Sequence, residues 1–226
     1  MEMGDEFPQC DIIGTDLSPI QPEIVNPNVK FYIDDACVLA GPAPCLLSLA
    51  VYTTTNTNTH RTEEWQQGPE WHNLDYIHTR MTAGCWSDMA SQLIKPAFDR
   101  LRPGGWLESQ EMGCWIECDD GTYTGGPLGR MCEELVNASE DAGRSVNIGS
   151  RLKQWYEEAG FVDVEELIFK IPLNPWPPIG VWKQIGHLWF KNIYGGLPAL
   201  AYALLHRCRG MTQEEIEVSI TPVVRW

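Results

Sequence analysis

The chain has 226 residues, of which 43 % are hydrophobic, and a formal net charge of −15 at pH 7. This length suits one well-packed domain. The excess of acids, without any run of basic residues, excludes binding that depends on clustered lysine and arginine, so neither nucleic acid nor a membrane is expected as a partner. The acidic start, residues 1–6, has no apolar signal-peptide core, and we expect a cytoplasmic or nuclear location.

The first predicted strand, residues 10–16, is an apolar run that stops on Asp16. A carboxylate directly after a buried strand can accept two hydroxyl hydrogen bonds, which is how nucleotide-binding α/β folds hold a ribose. In such folds a Gly-rich turn lies about 20 residues upstream of the acid. Only nine residues precede Cys10, and no two glycines in the sequence have the spacing Gly-x-Gly. The sequence therefore shows one half of a cofactor site.

The second predicted strand, Val29–Ile33, ends on the acidic pair Asp34 and Asp35. The segment 37–62 that follows is apolar at first and then rich in threonine and asparagine. Its apolar part is shorter than the ~20 residues that a membrane span needs. A low-complexity polar tract beside an apolar one is more typical of an inserted or disordered loop than of a core element.

Strands and helices alternate over the rest of the chain. The predicted strands are Leu74–His78, Trp106–Gln110 and Phe161–Ile171. The predicted helices are Met89–Leu101 with a kink at Pro96, Leu128–Val136, and Ser150–Ala159 with Ser150 as its cap and Gly160 as its end. A helical region follows Pro178, with a capping box at Thr212 and Glu215. This alternation predicts an α/β fold, a mostly parallel sheet with helices on both faces.

The order of Asp16, the pair Asp34-Asp35 and the Pro-Gly-Gly turn at 103–105 resembles that of class I S-adenosylmethionine-dependent methyltransferases. Longer strings make the resemblance closer. The string Gly-Thr-Asp-Leu-Ser-Pro-Ile-Gln-Pro at 14–22, together with Asp75–Arg80 and Leu101–Glu108, is similar to the fungal LaeA-like methyltransferases. The similarity covers most of residues 5–36 and 63–220.

This resemblance implies a single domain, residues 1–226, with an incomplete Rossmann-like class I methyltransferase fold and a helical cap on the substrate side at 172–210. The implied function is methyl transfer from S-adenosyl-L-methionine to a small-molecule or protein acceptor. The alternative is a non-catalytic protein of the same fold that binds a regulatory protein partner of fungal secondary metabolism. A nicotinamide-dependent enzyme is a third hypothesis, which the lack of a Gly-x-Gly-x-x-Gly segment disfavours.

Six residues are implied to bind the cofactor: Asp16, Leu17, Asp34, Asp35, Ala36 and His78. The first would hold the ribose hydroxyls, and the second would pack on the adenine. Asp35 and Ala36 would face the adenine edge, with Asp34 as the alternative to Asp35. His78 would lie near the methionine end of the cofactor or the methyl acceptor, although an isolated histidine is more often structural. Since the sulfonium is already activated, no catalytic constellation is expected. No metal site is expected either, because no Cys-x-x-Cys pair occurs and Cys114-x-x-x-Cys118 has no second pair at zinc-ligand spacing.

Three departures from the family pattern affect these expectations. The Gly-rich loop is missing, the segment 37–62 separates Ala36 from the family's Glu-Glu-Trp string at 63–65, and the chain stops at Trp226 before the family's final antiparallel strand. We interpret the chain as truncated at both ends and the segment 37–62 as a disordered or aberrant insertion. Because the missing first strand is the central one in this fold, we expect unpaired strand edges beside its place, and weak cofactor affinity.

Overall fold

A computed structural model describes five stretches of the chain: residues 2–16, 22–33, 49–54, 72–123 and 125–224. The elements in chain order are α1 (Glu2–Glu6), β1 (Asp11–Asp16), β2 (Val29–Ile33), β3 (Leu49–Thr54), β4 (Leu74–Arg80), a π-helical turn (Ala90–Ile94), α2 (Lys95–Arg100), β5 (Leu101–Gln110), α3 (Pro127–Asp141), α4 (Gly149–Ala159), α5 (Val181–Ala201), a second π-helical turn (Tyr202–His206), α6 (Arg207–Arg209) and α7 (Gln213–Val224).

The chain divides into two compact units. The first, which we call the sheet unit, comprises Met1–Gly113 and Arg144–Val164, and it holds the five described strands with α1, α2, α4 and the first π-helical turn. The second, the helical unit, comprises Cys114–Gly143 and Glu165–Trp226 and holds α3, α5, α6, α7 and the second π-helical turn. Each unit is built from one kind of packing, helices on a sheet in the first and helix on helix in the second.

The five strands form one mixed sheet in the order β2-β1-β3-β4-β5. β1 and β2 are parallel, and so are β4 and β5, whereas β3 is antiparallel to both of its neighbours. Four strands therefore run in one direction and β3 runs against them. The expected combination of helices with parallel strands is confirmed, but the sheet as a whole is mixed because of β3.

β3 consists of six residues from the segment 37–62, and the structure places them in the middle of the sheet. Its backbone pairs with β1 on one side, Val51 opposite Gly14, and with β4 on the other, Val51 opposite His78. The expectation of unpaired edges is therefore wrong for β1 and β4, because the inserted strand satisfies the ladder groups that face it. The remainder of the segment lies outside the described residues.

The core of the sheet unit lies between one face of the sheet and the helices α4 and the first π-helical turn. Ile13, Ile77 and Leu107 lie in one row across β1, β4 and β5, with the β3 position Tyr52 between the first two, and they pack with Leu93 and Ile94 of the π-helical turn. Full burial of such a side chain contributes about 1.5–3 kcal/mol. Because side chains alternate between the two faces of a strand, the neighbours of these core residues point to the opposite face of the sheet.

The predicted helix from Met89 onward is confirmed, with a different irregularity. A π-helical turn forms its first part, and Pro96 occupies the second position of α2. The backbone is helical at Ile94 and at Lys95, so the π-helical turn continues directly into α2, and the kink expected at Pro96 stays a prediction.

The connection after α4 confirms one prediction and corrects two. Gly160 ends α4 with a φ of 109°, a left-handed conformation that glycine adopts without strain. The cap position is Ile148, so the assignment of Ser150 as cap is wrong. No strand forms anywhere in Phe161–Ile171, all of which the structure describes. High β propensity there is not matched by a partner strand, and a strand needs one.

The helical unit confirms the helices expected after Pro178 and near the chain end. Three elements that contact one another supply buried side chains, among them Leu135 of α3, Leu205 of the second π-helical turn and Ile216 of α7. α5 adds Leu197 and Ala201. The predicted capping box is present, since Thr212 N donates to Glu215 Oε2 at 2.8 Å and Glu215 N donates to Thr212 Oγ1 at 3.3 Å. None of the helices in the described ranges is long and apolar enough to cross a membrane.

Candidate functional site

The carboxyl ends of β1, β2, β4 and β5 meet at one edge of the sheet because these four strands share a direction. The last residues of β1, β4 and β5 at this edge are Asp16, Arg80 and Gln110. In α/β proteins ligands bind outside the carboxyl ends of the parallel strands. This edge of the sheet unit is therefore the candidate site.

Asp16 lies at this edge with only 4 % of its surface exposed. Its carboxylate oxygens only accept hydrogen bonds. Side chains alternate between the two faces of a strand, so Asp16 shares a face with Gly14, two residues before it. Gly14 is opposite Val51, which is opposite His78, and His78 is opposite Glu108. Asp16 and His78 therefore lie on the same face of the sheet, opposite to the apolar core.

Two of the six predicted cofactor residues are thus brought to one edge and one face. Asp16 and His78 are separated by β3, and with strands ~4.8 Å apart they lie roughly 10 Å from each other across the sheet. The other four, Leu17, Asp34, Asp35 and Ala36, lie outside the described residues, and their assignment stays a prediction.

His78 belongs to a polar cluster formed across β4 and β5. Its Nδ1 lies 3.1 Å from Glu108 Oε2 and 3.3 Å from the Tyr76 hydroxyl, which itself donates to Glu108 Oε2. Gln110 Nε2 donates to the second carboxylate oxygen, Oε1, at 2.8 Å. The side chain of His78 is 15 % exposed and that of Glu108 46 %. We call these residues the histidine cluster: Tyr76, His78, Glu108 and Gln110.

The hydrogen bonds of the histidine cluster keep Glu108 ionised. Partial burial opposes its charge, but donors from Tyr76, Gln110 and His78 outweigh that effect and lower the pKa of the Glu108 carboxyl below its ordinary value. Burial, with the neighbouring carboxylate, raises the pKa of the Tyr76 hydroxyl, so Tyr76 keeps its proton and acts as a donor. The cluster therefore has one acceptor, Glu108, that holds two donors from β4.

A second carboxylate fixes the turn that follows β4. Glu111 accepts hydrogen bonds from the backbone N of Thr82 and of Ala83, each at 3.0 Å, and from Thr82 Oγ1 at 2.7 Å. Burial raises the pKa of Glu111, against the lowering effect of these donors. Glu111 connects the ends of β4 and β5 and so gives the edge of the site a defined backbone.

The opposite face of β4 and β5 is joined to α4 by hydroxyl groups. Tyr156 Oη donates to Ser109 Oγ at 2.7 Å, and Ser109 Oγ lies 2.9 Å from Thr79 Oγ1. Thr79 is fully buried and Tyr156 nearly so. Because Thr79 follows His78 directly, this buried network limits the movement of the strand that carries the histidine.

A cleft of ≈ 160 Å³ lies beside the loop after β4. Its walls include Trp86, Asp88, Arg151 and Trp155, and the Nε1 of Trp86 has no hydrogen-bond partner. Sites that enclose small molecules usually measure about 300–1,000 Å³. The cleft is therefore too small to hold a nucleoside cofactor, and the edge with Asp16 is the better candidate.

Known proteins similar to the chain are fungal methyltransferases and regulators. Methyltransferase pytC of Aspergillus terreus is 33 % identical over 225 residues, which are 99 % of this chain and 60 % of that protein. A secondary metabolism regulator of Cochliobolus heterostrophus is 27 % identical over 99 % of this chain and 64 % of its own length. The chain is a relative of the fungal LaeA-like methyltransferases.

The protein-methionine methyltransferase laeA of Emericella nidulans is a further relative, 30 % identical over 78 % of this chain and 40 % of its own length. The resemblance read from the sequence is thereby confirmed. The chain spans between 40 % and 64 % of the length of these three relatives. No family model matches the chain, and no solved structure does.

The sequence interpretation of this LaeA-like chain missed Tyr76, Glu108 and Glu111 as parts of the site. A partial signal was present, because a polar residue follows a central apolar one in each strand: His78 after Ile77 in β4, and Glu108 after Leu107 in β5. Alternation of this kind predicts a polar face of a sheet. What it could not give is the register that places His78 directly opposite Glu108.

Proposed function

We propose that the chain is an S-adenosylmethionine-dependent methyltransferase with its cofactor at the carboxyl edge of the sheet unit, in an incomplete Rossmann-like fold. The observation that carries this proposal is a buried acid, Asp16, at the carboxyl end of β1 in a chain whose relatives are named methyltransferases. A cytoplasmic or nuclear location goes with it.

The chemistry of Asp16 fits the ribose of the cofactor. Its carboxylate would accept the two ribose hydroxyls, and each charge-assisted hydrogen bond of this kind contributes about 1.5–3 kcal/mol. Leu17 and Ala36, with Asp34 or Asp35, are the proposed adenine contacts. When bound, the cofactor supplies an activated methyl group, so the protein's part is to orient the acceptor and exclude water. Residues 172–210 stay a proposed helical cap for that acceptor.

Calorimetric titration with S-adenosylmethionine tests this assignment. We expect measurable binding that is weaker than low micromolar for the chain as given, and an affinity at least about tenfold lower for Asp16→Asn, since one lost charge-assisted bond is worth more than 1.4 kcal/mol. Asp11→Asn is the matched control, because Asp11 begins the same strand at the opposite edge of the sheet. Equal affinities for Asp16→Asn and the unaltered chain would contradict the proposal.

The second candidate function is a non-catalytic protein that binds a regulatory partner. The exposed apolar side chains of the helical unit favour it, among them Ile179, 83 % exposed, Trp176, 69 % exposed, and Leu188, 65 % exposed. Apolar surface left in water in this way marks interaction sites. If the chain binds a partner protein but shows no cofactor binding in calorimetry, this function is favoured over methyl transfer.

A further inference from the structure

The histidine cluster determines which ring nitrogen of His78 carries the proton. The Glu108 carboxylate can only accept, and the Tyr76 hydroxyl already donates to its Oε2. His78 Nδ1, 3.1 Å from the same oxygen, must then carry a hydrogen in order to bond to it. In the neutral imidazole the lone pair is therefore on Nε2.

His78 lies on the same face of the sheet as Asp16, near the edge formed by the carboxyl ends of the parallel strands. No protein partner is shown for Nε2 in the part of the chain that the structure describes, and Trp106, on the same face of β5, is 64 % exposed. The titratable and charged groups around the ring are Tyr76, Glu108 and Glu111, with Arg80 farther along β4 opposite Gln110. The imidazole ring thus has the Glu108 carboxylate beside Nδ1 and its basic lone pair on Nε2.

We propose that His78 Nε2 accepts a proton from the methyl acceptor, and that the acceptor is therefore a hydroxyl or an amine and not a thioether. This inference rests on the proposed function. The O–H or N–H bond breaks with its electron pair left on the oxygen or nitrogen, the proton moves to Nε2, and it is later released to water. Glu108 stabilises the imidazolium that forms, as a carboxylate behind a catalytic histidine does. A thioether has no proton to lose and gains nothing from such a base.

The first test needs no turnover. Nitrogen NMR of the full chain assigns the protonated nitrogen of each histidine, with His78→Asn identifying the resonance of interest. We expect His78 to hold its proton on Nδ1 at neutral pH, and Glu108→Gln to leave a mixture of the two tautomers. A proton on Nε2 in the unaltered chain overturns the proposal, whether or not the protein binds a cofactor.

The second test measures transfer of a labelled methyl group from S-adenosylmethionine to three probes: a phenol, a primary alkylamine and N-acetylmethionine amide. We expect label on the phenol or the amine, and about 100-fold less of it with His78→Asn, the lower end of what general base catalysis contributes. His72→Asn is the matched control, because His72 contacts Arg100 away from the cluster. Cofactor affinity measured by calorimetry should stay the same in His72→Asn, and the transfer assay is run at saturating cofactor so that an effect of His78→Asn on cofactor binding does not enter the comparison.

Label on N-acetylmethionine amide alone, label on none of the probes, or unchanged transfer in His78→Asn would each overturn the assignment of acceptor class. An unaltered chain that does not bind the cofactor would instead refute the proposed function. In that case the tautomer measurement still decides where His78 carries its proton, so the two failures are distinguishable.

Discussion

The two units of the molecule differ in how much apolar surface their described residues leave exposed. The sheet unit exposes a few large apolar side chains, such as Ile24 and Val162, and the helical unit exposes more of them. In the sheet unit Leu74, Ile77, Leu93 and Ile94 are completely buried, and the polar groups near them have partners across strands. The helical unit also has buried residues, but large apolar side chains from Leu167 to Tyr194 stay exposed. Burial of this kind stabilises a fold, whereas exposed apolar side chains are available to a partner.

This contrast separates two kinds of function within one chain. The sheet unit carries the groups with chemistry, Asp16 and the histidine cluster, on a rigid strand framework. The helical unit carries exposed aromatic and aliphatic side chains. Such side chains bind a partner by fitting its shape and by releasing water from the surfaces in contact. Reactive groups need a fixed geometry, so it follows that they are found in the unit with the tighter core.

The strongest way to break the sheet unit is to interrupt β3. Val51→Pro removes a backbone donor between two antiparallel neighbours, and we expect a loss of about 3 kcal/mol or more in the free energy of unfolding. Val51→Thr keeps the donor and the β-branched shape, so it serves as the matched control. Urea denaturation followed by circular dichroism measures both. Equal stability of the two variants would show that β3 does not hold β1 and β4 together.

A matched pair of leucines sharpens the comparison between the units. Leu93→Ala in the fully buried core should lower the free energy of unfolding by about 2–5 kcal/mol, because it leaves a cavity. Leu188→Ala in α5 removes the same atoms from a side chain that is 65 % exposed, and should change stability by less than about 0.5 kcal/mol. Similar losses for both variants, in chemical denaturation, would mean that Leu188 is covered in solution.

The smallest expected effect is a difference in pH dependence. Burial raises the pKa of Glu111 in the folded sheet unit, so its contribution to stability is present below the ordinary glutamate pKa of 4.5 and is lost as the pH rises through the folded value. Hydrogen bonds from Thr212 lower the pKa of Glu215 in the helical unit. That contribution is present above 4.5 and is lost as the pH falls through the lowered value.

Urea denaturation at a series of pH values measures both contributions. Glu111→Gln should remove the loss of stability at rising pH, and Glu215→Gln should remove the loss at falling pH, because each substitution deletes the carboxylate that titrates. If the free energy of unfolding depends on pH in the same way in the unaltered chain and in both variants, the opposite pH dependences assigned to Glu111 and Glu215 are wrong.

Local signals in the sequence predicted local features well. The strand ending on Asp16, the end of α4 at Gly160 and the capping box at Thr212 each depend on residues close in sequence, and all are present. The failures involve partners that are distant in sequence. Residues 161–171 have strand propensity but no strand beside them, and β3 is a strand because β1 and β4 offer edges on both sides.

The candidate site shows the same division. Asp16 and His78 could be named from the residues around them and from a family resemblance, but Glu108 required the register of β4 with β5. That register follows an irregularity at the Pro-Gly-Gly turn, because Leu101 is opposite Leu74 but Trp106 is opposite Tyr76. No composition or periodicity rule predicts which residue of β5 resumes the pairing after the turn.

The same turn sets a rule for insertions and deletions in this region. From Leu74 to Tyr76 the chain of β4 advances by two residues, while its partner β5 advances by five, from Leu101 to Trp106. The segment 102–105 therefore contains three residues more than the pairing needs. A change in length there can be absorbed in the loop. One residue gained or lost between Trp106 and Glu108 would instead turn the carboxylate away from His78 and into the core, because each step along a strand reverses the face. Variation in length should therefore be tolerated on one side of Trp106 and not on the other.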